Sequence, residues 1–96
     1  MRQIFPSSKF RRDMKREQGG IHRKLLVKGG ELERVMLALA NDELLPLSYR
    51  DHALHHNWEG SRDCHIRPDF ILIYTYEGDD ILGLEKIGSH SEILGL

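Results

Sequence analysis

This chain has little cysteine, little proline, no excess of either charge and no long apolar run. Its one cysteine, Cys64, has no intrachain partner. A disulfide framework is therefore excluded, and a reducing, cytoplasmic setting is the default expectation. The longest apolar stretch, Val35 to Ala40 (VMLALA), is far short of the ~20 residues that a bilayer-spanning helix needs. The opening MRQIFPSSKF lacks the apolar core of a secretion signal, so no membrane association is expected. With 14 Lys/Arg against 15 Asp/Glu the net charge is −1. The balance hides an asymmetry: residues 1–34 carry ten bases and four acids, and the remainder carries four bases and eleven acids. The basic part is either a phosphate-facing surface or the solvated face of a helix pair.

What is present fits one small domain spanning residues 1–96, 40% apolar and 30% charged, without repeats. Arg2–Phe5 reads as a short strand closed by Pro6. Ser7 or Ser8 then offers an N-cap for a helix from about Lys9, with Phe10 and Met14 on its apolar stripe and Gly19-Gly20 at its end. The segment 21–27 has mixed character. Leu32, Val35, Met36, Leu39 and Ala40 follow the spacing of a helix packed on a sheet. A polar loop is expected from Ser48 to Gly60. Strands are expected over 61–67, 70–76 and 81–87, separated by Pro68-Asp69 and Gly78-Asp79-Asp80. The almost wholly apolar FILIYTY should be the central strand, covered on both faces. The fold class expected is α+β: an antiparallel sheet of about four strands with two N-terminal helices on one face.

The chemistry gathers between Tyr49 and His90. His52, His65, His90 and Asp69 each stand beside a turn or a strand end, and imidazole and carboxylate are the groups that move protons near neutral pH. Strand alternation puts Arg62, Cys64 and Ile66 on one face and Asp63, His65 and Arg67 on the other. Cys64 then reads as a small core residue, and Pro68 as a lock holding Asp69 near His65. Trp58, with Gly60, reads as an anchor pinning the His52 loop to the sheet. His52 and His56 lie four apart but lack the helical context and acidic partner of a zinc site, so neither metal nor cofactor is expected.

The string YRDHALHHNWEGSRDCHIRPDFILIYTY, followed by GSHSEIL, resembles the YafQ-type toxins of the RelE/ParE toxin–antitoxin superfamily. YRDH-x-L, W-x-G-x-RDCHI-x-PD and GSHS, in this order and spacing, are jointly specific. The resemblance implies a RelE-like fold and a ribosome-dependent endoribonuclease that cuts mRNA in the ribosomal A site and inhibits translation. It also implies a small ribbon-helix-helix antitoxin as partner, the pair binding its own operator DNA. By the same resemblance the family's catalytic positions fall on His52, His65, Asp69 and His90. The aromatic after the aspartate, usually Trp, is Phe70 here, with a base-stacking role. The C-terminal aromatic, usually Phe, is Leu94, and a usual Arg is Lys86. Arg62 joins Phe70, Lys86 and Leu94 as an expected substrate contact.

Such a set suits RNA cleavage without a metal, in which the 2′-hydroxyl attacks the adjacent phosphate. His90 is then the general acid, Asp69 or His52 the general base, and His65 and Lys86 the groups that stabilise the phosphorane. Three competing readings remain: a gyrase poison of the ParE type, which lacks these residues, an inactive RNA- or protein-binding relative such as an antitoxin binder, and a small metal-binding protein.

Overall fold

The computed structural model describes residues 1–94, the side chain of Leu94 excepted. The expected role of Leu94 therefore lies outside the described residues. The elements are β1 (Gln3–Pro6), α1 (Ser8–Glu17), α2 (Glu31–Ala40), β2 (His52–Ala53), β3 (Arg62–Arg67), β4 (Phe70–Glu77), β5 (Ile81–Gly88) and α3 (His90–Leu94). Ser7 caps α1, its hydroxyl accepting from the Phe10 N–H at 2.9 Å. Segment 21–27 holds a single 3₁₀ turn, Arg23–Leu25, rather than a helix start. No described helix is long and apolar enough to cross a membrane.

The sheet runs β1-β5-β4-β3-β2. This corrects the expected sheet in two ways. It has five strands, because His52–Ala53, inside the expected loop, pairs with Asp63 and Arg62 as an edge strand. It is also mixed, because β1 runs parallel to β5. Two residues are too few for periodicity to reveal β2, and no local signal reports the direction of β1.

β4 is the central strand, as expected. Phe70, Leu72 and Tyr74 point into the core under α1 and α2, with Phe10, Leu32, Val35, Leu39, Cys64 and Ile66. Ile71 and Ile73 point to the other face, where Ile93 of α3 covers them and Leu54 and Trp58 pack alongside. Trp58 is thus the expected anchor. The second face is only partly roofed, and its open part holds the histidines.

Helix α1 also completes the sheet. β1 pairs with β5 only as far as Leu84, which leaves the Ile87 backbone without a strand on the side away from β4. The buried Asp13 accepts the Ile87 N–H at 3.1 Å, and Arg16 donates to the Ile87 carbonyl at 3.0 Å. Arg16 also holds Asp13 at 2.9 Å, Glu17 at 2.8 Å and Glu92 at 3.2 Å, so it ties α1 to α3. Asp13→Ala orphans a buried N–H and should cost about 2–3 kcal/mol in urea unfolding. A loss under about 0.5 kcal/mol would show that the helix merely rests on the strand.

Candidate active site

Strand register assembles the site. His52 stands opposite Asp63, Asp63 opposite Ile73, and Ile73 opposite Lys86, so one row across four strands carries three polar side chains on the open face. In the next row His65 stands opposite Ile71, and Ile71 opposite Gly88, after which the chain turns into α3 with His90 as its first residue. Gly88 sits at φ +154°, and a Cβ there would lie 2.7 Å from Arg16 Nη2 and 3.0 Å from Ile93 Cγ2. Only glycine lets α1 and α3 close so tightly behind His90.

The three imidazoles converge. The ring centroid of His65 is 6.1 Å from that of His52 and 5.4 Å from that of His90. The side chains of His52 and His90 are 52% and 38% exposed, whereas that of His65 is 10% exposed. The outer two are open to solvent, and the middle one lies beneath them.

Hydrogen bonds assign the ring nitrogens. His52 Nδ1 lies 2.6 Å from the Arg50 carbonyl and 3.1 Å from Asp63 Oδ1. Both are acceptors, so in the neutral ring Nδ1 carries the proton and Nε2 the lone pair. His90 Nδ1 donates to Asp69 Oδ1 at 2.9 Å, and the His90 backbone N–H donates to the same oxygen at 3.0 Å. His65 Nδ1 faces the Pro68 carbonyl at 3.1 Å, and its Nε2 faces Asp63 Oδ1 at 3.7 Å. The Pro68 carbonyl is an acceptor, so His65 Nδ1 carries a proton.

Asp69 therefore pairs with His90 and not, as expected, with His65. The turn after Pro68 aims the carboxylate at the start of α3. The His90 backbone N–H, then its ring, hold the Asp69 carboxyl below its ordinary value, with a smaller contribution from the charge of His22.

Asp63 went unassigned in the sequence reading. Its side chain is 3% exposed, and its Oδ1 lies beside His52 and His65 without an aligned hydrogen bond. Burial pushes its carboxyl up, and the charges of His52, His65 and His90 oppose that rise. Its i, i+2 relation to His65 was the available signal. His52, Asp63 and His65 also place three metal-ligand atoms within 4.8 Å of one another. His56 is not among them; it opens a separate 3₁₀ turn.

Three other expectations need correction. Arg62 lies on the helix side of the sheet, where it clamps Asp51 at 2.8 Å and meets the Tyr74 hydroxyl at 3.3 Å. It braces the approach to His52 rather than the substrate. Arg67 does not stand beside His65: a bulge between them breaks the alternation, and Arg67 bonds Glu31 of α2 at 2.9 Å. Phe70 is 0% exposed and so cannot stack on a base; its ring is covered by His22, with centroids 4.4 Å apart and planes 24° apart. Lys86, on the open face, lies 5.8 Å from the Trp58 ring centroid.

Comparison with known proteins matches residues 2–95 to the model of the bacterial toxin of type II toxin–antitoxin system, YafQ. The chain is 38% identical over 95 residues to the mRNA interferase toxin YafQ of Escherichia coli strain B, covering 98% of this chain and 97% of that one. A crystal structure of the E. coli DinJ–YafQ complex superposes with a TM-score of 0.79 at 36% identity, covering 99% and 100% of the two chains. A copper-bound mutant toxin from Helicobacter pylori superposes with a TM-score of 0.80 at 34% identity, covering 97% and 99%.

Proposed function

This chain belongs to the YafQ family of bacterial type II toxins, and we propose from that premise that it cuts mRNA with the imidazoles of His52, His65 and His90. It is an mRNA interferase, as its E. coli relative is named. The observation that carries the mechanism is the convergence of His65 with His52 on one side and His90 on the other.

The scissile phosphate sits over the buried His65. His52, its Nδ1 proton committed to the Arg50 carbonyl, takes the 2′-hydroxyl proton on Nε2. The freed oxygen attacks phosphorus, and the bond to the 5′-oxygen breaks. His90 gives that oxygen a proton from Nε2 while Asp69 steadies the ring. Asp69 is thus an orienting group rather than the base, because a carboxylate already satisfied by two donors attracts the 2′-hydroxyl proton poorly. His65 and Lys86 offset the charge on the phosphorane, His65 backed by Asp63. The upstream fragment then ends in a 2′,3′-cyclic phosphate, which can open to a 3′-phosphate.

The reaction is ribosome-dependent, in the A site. Lys9, Arg11, Arg12 and Lys15 are exposed on α1, and Arg23, Lys24 and Lys28 are exposed in the segment that joins α1 to α2. Their charge suits contact with ribosomal RNA. A small antitoxin is the cellular partner, as DinJ is for the E. coli protein. A ribbon-helix-helix antitoxin would also carry the pair to operator DNA.

The test is incubation of purified protein, either untreated or first stripped with EDTA and dialysed free of the chelator, with translated and untranslated copies of one message. Cuts confined to the translated copy, unaffected by EDTA and leaving cyclic phosphate or 3′-phosphate ends, are expected. Upstream ends bearing a free 3′-hydroxyl, or activity lost to EDTA, would replace this mechanism with one run by a metal on His52, Asp63 and His65. Stalled supercoiling with intact mRNA would favour gyrase as the target.

A further inference from the structure

A hollow adjoins Asp69, between the turn that follows α1 and the start of α3. It measures about 530 Å³, and Arg16, His22, Asp69, Ser89, Ser91 and Glu92 line it. Its back wall is the parallel stack of His22 on Phe70. Phe70 is wholly buried and His22 only half-buried, so the exposed aromatic surface beside Asp69 belongs to the imidazole. Phe70 serves as the support that holds that ring flat.

The electrostatics of the hollow disfavour a phosphate. Its one guanidinium, Arg16, is held by Asp13, Glu17 and Glu92. The Asp69 carboxylate remains largely exposed, and the Ser89 and Ser91 hydroxyls, 3.2 Å apart, lie at the same rim. A flat, neutral ligand with N–H donors on its edge fits such a wall and rim.

We propose that this hollow is a nucleobase subsite: the outer face of His22 stacks the base of the nucleotide next to the cut, and the carboxylate and hydroxyl rim selects bases carrying an exocyclic amine over uracil. The proposal rests on the nuclease reading above and adds to it a residue that determines specificity. Asp69 joins the two sites, one oxygen orienting His90 and its exposed edge reading the neighbouring base.

The experiment uses full-length protein and translating ribosomes on four messages that differ only in the nucleotide flanking the cut. Wild type should cut the adenine, cytosine and guanine versions better than the uracil version. His22→Ala should raise KM for the programmed ribosome about tenfold, with the larger part of the loss in KM rather than kcat, and should flatten the base preference. His22→Phe should recover most of the affinity, since a phenyl ring also stacks. Thermal melting confirms that both variants fold. Unchanged KM and base preference in a folded His22→Ala, or a His22→Phe no better than alanine, overturns the subsite. His90→Ala is the control. If wild type cuts and His90→Ala does not, a null result at His22 counts against the subsite alone. If wild type cuts none of the messages, the nuclease reading fails and the subsite falls with it.

Discussion

His90→Ala should leave translated mRNA almost whole, with cleavage slowed by about 10²–10⁴-fold and growth arrest on induction abolished. The 5′-oxygen is a poor leaving group unless a proton reaches it as its bond to phosphorus breaks. His90 is placed for that role by the crowded backbone at Gly88 and by two bonds from Asp69. Its side chain is partly exposed and supports no core contact, so stability should change by less than about 0.5 kcal/mol. Mapping mRNA 5′ ends after brief induction reads the effect directly. A variant that melts like wild type and still cuts at wild-type rate would remove His90 from the mechanism.

Asp69→Asn should cost about 10²–10³-fold in kcat, nearly as much as loss of His90 itself. The carboxylate accepts from both the His90 ring and the His90 N–H. An amide can still accept one of these bonds, but it can also offer N–H to Nδ1, which holds the ring as the neutral Nε2–H tautomer, a far weaker acid than the imidazolium that the 5′-oxygen needs. The same pair predicts a pH signature. Because the folded state lowers the Asp69 carboxyl below its ordinary 3.8, the ionised form is the one that stabilises. That contribution is fully present above about 3.8 and is lost as pH falls through the lowered value. The difference in melting temperature between wild type and Asp69→Ala should accordingly be constant at neutral pH and close in acid. A gap that widens on acidification would contradict the assigned pairing.

These two residues show what could be read before the fold. Histidines and an aspartate beside strand ends identified the kind of chemistry, and the apolar FILIYTY identified the central strand. The partner of Asp69 was not readable, because His65 is four residues away in sequence and His90 twenty-one. Proximity along the chain favoured the wrong one. Arg62, Arg67 and Phe70 illustrate a second limit. Arg62 obeyed strand alternation yet turned to Asp51 on the helix side, Arg67 was carried off by a bulge, and Phe70 disappeared under His22. Nothing local foretells such contacts, since each depends on an element distant in sequence.

By itself the sequence determined the secondary elements with strong periodicity, the buried or exposed tendency of most strand residues, and the candidate acid–base groups. These are local properties, set by side-chain hydrophobicity, backbone preference and ionisability. Only the tertiary structure decided that β1 runs parallel, that β2 exists, that Asp63 lies between the imidazoles of His52 and His65 and that His22 offers the exposed ring beside Asp69. Those outcomes follow from register and packing between segments far apart in the chain, where a shift of one residue would turn His65 to the other face of the sheet.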